Sequence, residues 1–347
     1  MAYTTINKSS DHFITHLYSG NDSTNNQTSL GMTPDLVWVK CRNNATPSHY
    51  WVDKVRGDKK YISSNATTAE QTDSNTFDLV SGGFNLAGGN GWTNLTGRTY
   101  ASWNWKANGA GSSNTDGTIT STVSANTTAG FSIGTFTSAI SSSSYETVGH
   151  SLNKTPKVII TKNLNTAGQR WGVQAPGILS NNHILELNST SAALDMSSNG
   201  SLTTVNSNVF SINYSDGVGN AGNYIFYAFA EVKGFSKFDS YTGNGSTDGT
   251  FVYTGFKPAF IIIKKNASDS WFMYDNKRGD INPNAKGLTA ESTAVEETSG
   301  KEIDFLSNGV KIRNSNNSIN TNGSTYIYMV FAEEPLVASN GIPATAR

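Results

Sequence analysis

The stretch PDLVWVK, residues 34–40, decides the fold, because the chain repeats it as PKVIITK (156–162) and PAFIIIK (258–264). Each run begins with proline, continues with apolar residues and ends with lysine. An apolar run without polar alternation is typical of a strand that is covered on both faces. We therefore expect a central strand at each of these three places.

Each repeat also closes with a second apolar strand: TYASWNW (99–105), NYIFYAF (223–229) and TYIYMVF (325–331). Trp103 falls in the same slot as Tyr227 and Met329 when the repeats are aligned. A platform for stacking sugar rings needs a flat ring, which methionine lacks, whereas a core needs only apolar volume. We therefore interpret Trp103 and Trp105, together with Trp38, as packing residues.

The repeat has a period of about one hundred residues and organises the whole chain. Helical periodicity is nearly absent, and turn dipeptides such as Asn-Gly and Asp-Gly recur between short β-rich runs. The sequence predicts an all-β fold of three tandem antiparallel β-sandwich modules, of jelly-roll or lectin-like type. The predicted boundaries are module 1 (1–106), a Gly/Ser/Thr-rich join (107–130), module 2 (131–232), module 3 (233–337) and a C-terminal tail (338–347). One strand is expected in the join, at TITSTV (118–123).

The composition predicts a neutral surface rich in hydroxyl and amide groups. Charged residues make up 15% of the chain and the formal net charge is −1, where roughly 25% charged residues is usual. We therefore expect no nucleic-acid partner and no membrane partner. The single cysteine, Cys41, excludes an intrachain disulfide framework, and the N-terminal residues lack the pattern of a signal peptide.

Two aspartate–arginine pairs occupy equivalent positions in the first and third repeats. Asp53 precedes Arg56, and Asp275 precedes Arg278, by three residues, and a glycine follows each arginine. Such a pair can brace a turn through a charge-assisted interaction, so the aspartates are interpreted as structural. The alternative is that Arg56 and Arg278 bind an acidic sugar or the carboxylate of a partner.

One aromatic residue lies outside the repeated strands, and it is the better candidate for contact with a ligand. Trp92 belongs to the glycine-rich segment GGNGWTN (88–94), and the other repeats have no equivalent ring. An aromatic side chain on such a loop can form part of an exposed contact patch. The alternative is that the ring packs against the protein.

Catalytic and metal-binding patterns are not found in the sequence. His12 and His16 are the only closely spaced histidines, and no cysteine or carboxylate completes a ligand set around them. The chain also lacks a nucleophile elbow, a phosphate-binding loop and a dinucleotide fingerprint. We therefore expect no catalytic residues, no metal, no cofactor and no enzymatic activity.

Several longer motifs resemble a group of bacteriophage proteins that are frequent in phages of marine bacteria and cyanobacteria. They are the start MAYTTI, the strand PDLVWVK, the turn DKVRG, the ending ASWNWKA, the join NTDGTITSTVSAN and the tail IPATAR. The resemblance covers essentially the whole chain. It implies a virion structural protein built from β-sandwich modules, and it carries no known binding residues.

These observations support three hypotheses of function. The first is a structural protein on the exterior of a phage particle, in the tail or its fibres, that attaches to host-surface glycan. The second is a decoration protein that cements the capsid, and the third, less favoured, is a polysaccharide depolymerase. The expected partners are other virion proteins and further copies of this chain, with a trimer favoured. The expected location is the virion, assembled in the cytoplasm of the bacterial host.

Overall fold

The computed structural model describes residues 4–73, 77–141, 144–196, 204–214, 219–279 and 281–335. Within these ranges the chain is all-β, and its strand ladders are antiparallel, as the sequence predicted. The helical elements described are a 3-10 turn at Ser9–Asp11 and a short helix, α1, at Asn317–Asn320. No helix of the described residues is long and apolar enough to cross a membrane. The tail predicted at 338–347 lies outside the described residues.

The strands fall into three consecutive groups, which we call copies one, two and three after the repeats. Copy one contains β1 (Phe13–Ser19), β2 (Asn25–Gln27), β3 (Leu36–Cys41), β4 (Tyr50–Asp53), β5 (Lys60–Tyr61), β6 (Gln71–Thr72), β7 (Phe77–Val80), β8 (Gly83–Leu86) and β9 (Thr99–Trp105). The join contains β10 (Ser112–Asn114) and β11 (Ser121–Asn126). Copy two contains β12 (Phe131–Ser138), β13 (Tyr145–Gly149), β14 (Val158–Asn163), β15 (Trp171–Gln174), β16 (His183–Glu186), β17 (Leu194–Asp195), β18 (Val209–Asn213) and β19 (Gly222–Phe229). Copy three contains β20 (Ser236–Thr242), β21 (Phe251–Tyr253), β22 (Phe256–Lys265), β23 (Trp271–Asp275), β24 (Leu288–Thr289), β25 (Ile303–Leu306), β26 (Gly309–Ile312) and β27 (Thr325–Pro335).

One strand order recurs in the three large sheets. The orders are β1-β9-β3-β4 in copy one, β12-β19-β14-β15 within the eight-stranded sheet of copy two, and β20-β27-β22-β23 in copy three. In each, the closing strand lies between the first strand and the proline strand. Each copy also has a smaller sheet: β2-β8-β7, β13-β18 and β21-β26-β25.

The register of these sheets confirms how the repeats align. Trp38 pairs with Trp103, Ile160 pairs with Tyr227, and Ile262 pairs with Met329. The proline strands β3 and β14 are buried at every position, as their unbroken apolar runs predicted. In copy three the strand starts before Pro258, and the ladder there is irregular, because proline cannot donate a ladder hydrogen bond.

Alternate residues of the proline strands β3 and β14 enter different cores. In β3, Val37 and Val39 pack into the core between the two sheets of copy one. Leu36 and Trp38 point to the opposite face and belong to a large cluster that contains residues of all three copies. β14 follows the same pattern: Ile159 lies in the core of copy two, whereas Val158 and Ile160 belong to the shared cluster. The proline strands therefore lack polar alternation because both of their faces are buried.

The join is part of a sheet. β11 pairs with β12 along six residues, and β10 pairs with β11, so that the join extends the large sheet of copy two. β11 begins three residues later than the strand expected at TITSTV. Its side chains alternate between the core of copy two, where Val123 is buried, and the exterior, where Thr122 is exposed.

Candidate functional site

The tryptophans interpreted as packing residues lie in the shared core. Trp38, Trp103 and Trp105 are 3%, 0% and 4% exposed. The ring of Trp38 lies 4.4 Å from that of Trp51 and 5.3 Å from that of Trp103, measured between centroids. These rings are enclosed by the cluster, so they offer no platform for a sugar. The sequence comparison with Met329 had pointed to this role.

Asp53 and Arg56 form a closed turn. The Arg56 Nε donates to Asp53 Oδ2 at 2.5 Å, its backbone N–H donates to Asp53 Oδ1 at 2.9 Å, and its Nη2 donates to the Trp51 carbonyl at 2.9 Å. Gly57 follows with a φ of 94°, in the region that favours glycine. The Arg56 side chain is 1% exposed, so its role in this conformation is to brace the turn.

Asp275 and Arg278 repeat the arrangement in copy three. The Arg278 Nε donates to Asp275 Oδ2 at 2.6 Å, and its Nη2 donates to the Met273 carbonyl at 2.9 Å. The Arg278 side chain is 0% exposed. The following Gly279 leaves room for Asn284, whose side-chain atoms would lie about 2.0 Å from an added Cβ. Neither arginine is therefore available to a ligand at the surface.

Each of these two aspartates also accepts a hydrogen bond from another copy. The Tyr227 hydroxyl of copy two donates to Asp53 Oδ2 at 2.8 Å. The Trp103 indole N–H of copy one donates to Asp275 Oδ2 at 3.1 Å. Tyr227 and Trp103 occupy equivalent slots, and the residue in that slot of copy three is Met329, which has no donor. Copy two correspondingly has Ala175 in place of the aspartate, so a carboxylate occurs only where a neighbouring copy supplies a donor.

Three equivalent lysines also connect the copies. The Nζ atoms of Lys40, Lys162 and Lys264 each donate to backbone carbonyls, and the side chains are fully buried. One acceptor of each lies in a different copy: Thr293 for Lys40 at 2.9 Å, Thr67 for Lys162 at 3.4 Å and Thr190 for Lys264 at 3.5 Å. Within the part of the chain described, none of the three ammonium groups has a salt-bridge partner. Burial lowers the pKa of each lysine to about 8.

Backbone hydrogen bonds follow the same cyclic order. The N–H of Glu70 donates to the Leu164 carbonyl at 2.9 Å, joining copies one and two. The N–H of Ala193 donates to the Asn266 carbonyl at 3.3 Å, joining copies two and three. The N–H of Glu296 donates to the Arg42 carbonyl at 2.8 Å, joining copies three and one. The last contact closes the three copies into a ring, which the sequence had not indicated.

Indole and imidazole groups next to the lysines form a third set of contacts between the copies. The Trp171 indole N–H donates to the Ala66 carbonyl at 3.1 Å, and that of Trp271 donates to the Glu186 carbonyl at 2.8 Å. These tryptophans pair with Lys162 and Lys264. In copy one the equivalent residue is His49, whose Nε2 lies 3.0 Å from the Ser292 carbonyl oxygen. Each junction between copies therefore contains a polar ring group fixed to a backbone carbonyl.

Trp92 is partly buried against the core of copy one. Its ring meets the Tyr61 ring edge-on, with centroids 5.3 Å apart, and lies 6.3 Å from the Tyr50 ring. The Trp92 backbone N–H donates to the side chain of Asn90 at 2.8 Å. The structure therefore gives Trp92 a packing role within its loop, and its contact with a ligand stays a prediction.

A cleft of about 580 Å3 opens at the junction of copies one and two. Copy one contributes Arg56, Lys60 and Glu70. The join and copy two add the polar residues Thr120, Ser121, Thr122, Thr135, Thr137, Asn165 and Asn223. Val55, Phe136, Leu164 and Tyr224 also line the cleft. Sequence reasoning missed this cleft because its lining residues come from different copies. Among the described residues, no group of three or more His, Cys, Asp or Glu side chains is placed to hold a metal ion.

Comparison with known proteins gives one match. The profile of a family described as a domain of unknown function, DUF7483, matches residues 8–335. None of the curated proteins and none of the solved structures compared with the chain matches it. The matched residues extend from the 3-10 turn to the last strand, so the chain belongs to the DUF7483 family.

Proposed function

We propose that the chain is a structural protein on the exterior of a bacteriophage particle, in the tail or its fibres, and that it attaches to host-surface glycan. The observation that carries the proposal is the ring of junctions, because it joins three copies into one body with a shared core. A body of this kind suits a part that must persist outside the cell. Cys41 and the three junction lysines are buried, so these reactive groups are shielded from chemical modification.

The proposal includes the architecture of three β-sandwich modules. The recurring strand order and the smaller sheet in each copy support it. The proposed modules differ from independent tandem domains, because the second face of each large sheet packs against the other two copies. We further propose that chains associate into a homo-oligomer, with a trimer favoured, so that weak contacts with a glycan add up. The molar mass of the purified protein in solution tests this part.

The location on the particle is tested with an antibody against the chain. We expect the antibody to label the tails of intact particles in electron micrographs and to reduce adsorption to the host. Labelled heads, with normal adsorption and bursting at lower osmotic stress, would favour capsid decoration instead. Particles without any label would contradict a virion role, and reducing ends released from host polysaccharide would favour a depolymerase.

A further inference from the structure

We infer that the cleft between copies one and two, lined by Glu70, Thr122, Thr137, Asn165 and Asn223, binds an uncharged segment of a glycan chain. This inference rests on the proposed glycan attachment and assigns it to one place. The volume of about 580 Å3 lies within the roughly 300–1,000 Å3 typical of ligand sites. The binding groups come from three walls, the first of which forms the floor of the cleft.

The floor of the cleft carries threonine hydroxyls on neighbouring strands. Thr122 of β11 lies directly opposite Thr135 of β12, and Thr137 follows two residues later on the same face. Directly opposite side chains are about 4.5–5.5 Å apart at Cβ. The hydroxyls of Thr122 and Thr135 form no hydrogen bond with another side chain or backbone group of the described residues. They can therefore both donate to and accept from the hydroxyls of a sugar.

The second wall supplies amide donors in fixed positions. The Asn165 Oδ1 accepts from the Asn223 backbone N–H at 2.7 Å, and the Asn223 Oδ1 accepts from the Thr137 hydroxyl at 2.8 Å. These bonds fix both carboxamide planes and leave the two Nδ2 groups without a partner in the described part of the chain. Each Nδ2 can donate to a ligand oxygen. Leu164 lies beside them and offers apolar surface to the C–H groups of a sugar ring.

The third wall supplies a carboxylate acceptor that is held in place. The Glu70 Oε2 lies 3.4 Å from Arg56 Nη1, and its Oε1 lies 3.3 Å from Lys60 Nζ. The Glu70 side chain is 18% exposed and the Lys60 side chain is 46% exposed. Because Glu70 is paired with cations and Arg56 is also paired with Asp53, the cleft has no strong net charge. Such a lining favours a neutral polyol over a polyanion or a cation.

An apolar ligand would leave these polar groups unpaired. A hydroxyl or amide that loses its water without gaining a new hydrogen bond weakens binding. A glycan can satisfy all three walls, because each sugar hydroxyl both donates and accepts. The chemistry of the lining therefore selects the ligand class.

The test uses the full chain, an array of purified bacterial capsular and lipopolysaccharide glycans, and two variants that fill the cleft, Thr122→Arg and Thr137→Arg. The matched control is Thr242→Arg. Thr137 pairs with Asn223 on β19 and Thr242 pairs with Thr325 on β27, so they are equivalent positions of copies two and three. Both are exposed, but only Thr137 lines the cleft. Thermal unfolding of each variant shows whether it is folded.

We expect the wild type to bind at least one uncharged glycan, both cleft variants to bind it at least tenfold more weakly, and Thr242→Arg to bind it normally. Equal binding by wild type and folded cleft variants would overturn the cleft assignment and leave glycan attachment standing. The exposed rings of Phe251 and Tyr253, which are 42% and 51% exposed, would then be the next surface to truncate. A wild type that binds none of the glycans would contradict glycan attachment itself.

Discussion

The hydroxyl of Tyr227 donates to the carboxylate of Asp53 at 2.8 Å, across the junction between copies two and one, and both side chains are fully buried. The same carboxylate is paired with Arg56. A buried carboxylate is stable only when its lone pairs and its charge are satisfied. In this protein the turn of one copy is therefore completed by a strand of the next.

Tyr227→Phe tests this contact directly. The substitution removes one hydroxyl from a fully buried position and leaves Asp53 Oδ2 with Arg56 alone. Hydrogen bonds to charged groups contribute about 1.5–3 kcal/mol, so we expect the free energy of unfolding to fall by about that amount. Urea titration, monitored by tryptophan fluorescence, measures this change in the free energy of unfolding.

The control for this substitution is Tyr241→Phe. Tyr241 is also buried, and its hydroxyl donates to the neutral carbonyl of Ile319 at 2.6 Å. We expect the smaller loss typical of neutral pairs, about 0.5–1.5 kcal/mol. A Tyr227→Phe variant that loses no more stability than Tyr241→Phe would show that the Tyr227–Asp53 hydrogen bond contributes no more than a neutral one.

Arg278→Met tests the aspartate–arginine turn of copy three. It leaves the Asp275 carboxylate buried without its cation, and breaking a buried pair in this way costs about 3–5 kcal/mol. The control is Lys8→Met, because the Lys8–Asp11 pair is 63% and 51% exposed and exposed pairs contribute under about 1 kcal/mol. Differential scanning calorimetry compares the transition temperatures of Arg278→Met and Lys8→Met. Similar transition temperatures for both variants would contradict the structural role assigned to Arg278.

Trp103→Ala and Trp92→Ala test which tryptophan belongs to the core. Trp103 is 0% exposed and its indole N–H donates to Asp275, so its truncation leaves a cavity and removes one of the hydrogen bonds to that carboxylate. We expect a loss of about 3–5 kcal/mol. Trp92 is partly buried within its loop, so Trp92→Ala should lower the free energy of unfolding by less. Equal losses in chemical denaturation would show that the loop ring matters as much as the core ring.

Much of the fold could be predicted from the sequence, because strand burial leaves a local signal. The apolar runs at the proline strands and the aligned slots of Trp103, Tyr227 and Met329 gave the β class and the register. The junctions left no such signal. Lys40 and its equivalents are conspicuous in sequence, but their acceptors are backbone carbonyls, which any residue carries. A repeat also shows that copies share a pattern without showing which faces meet.

The candidate cleft was less predictable than the core. Its floor includes β11, which belongs to a Gly/Ser/Thr-rich segment that sequence composition classes as a join. Its charged wall includes Glu70, which has no distinctive motif around it. The spacing of Arg56 and Asp53 indicates their pairing, whereas nothing in the sequence indicates that Arg56 also pairs with Glu70. Only the meeting of copies one and two brings these residues together.

The buried lysines predict an unusual dependence of stability on pH. The pKa of Lys162 is about 8 in the folded chain because of burial, and about 10.4 in an unfolded chain. Between these values the unfolded state binds more protons, so the free energy of unfolding rises with pH, by up to about 1.4 kcal/mol per pH unit for each such lysine. Buried tyrosines such as Tyr227, whose pKa is raised by burial, act in the opposite sense as the pH approaches 10.

Lys162→Met separates the two effects. The variant keeps the tyrosines but lacks one titrating ammonium group, so the difference in unfolding free energy, wild type minus variant, should increase from pH 8 to pH 9.5. Denaturant titrations at several pH values measure this difference. A difference that stays constant would show that Lys162 has an ordinary pKa in the folded chain.

The shared core predicts how the chain unfolds. Independent tandem modules would melt separately. In this chain, residues of β3, β14 and β22 meet in one cluster, which includes Trp38, Ile160 and Ile262. Separating the copies would expose these side chains to water, at a cost of roughly 25 cal/mol per Å2 of apolar surface. We therefore expect one cooperative transition in calorimetry, with a calorimetric to van't Hoff enthalpy ratio of about 1. We also expect residues 233–337, expressed alone, to lack a cooperative transition. A ratio near three, with a folded fragment, would show that the copies are independent domains and that the ring contacts contribute little.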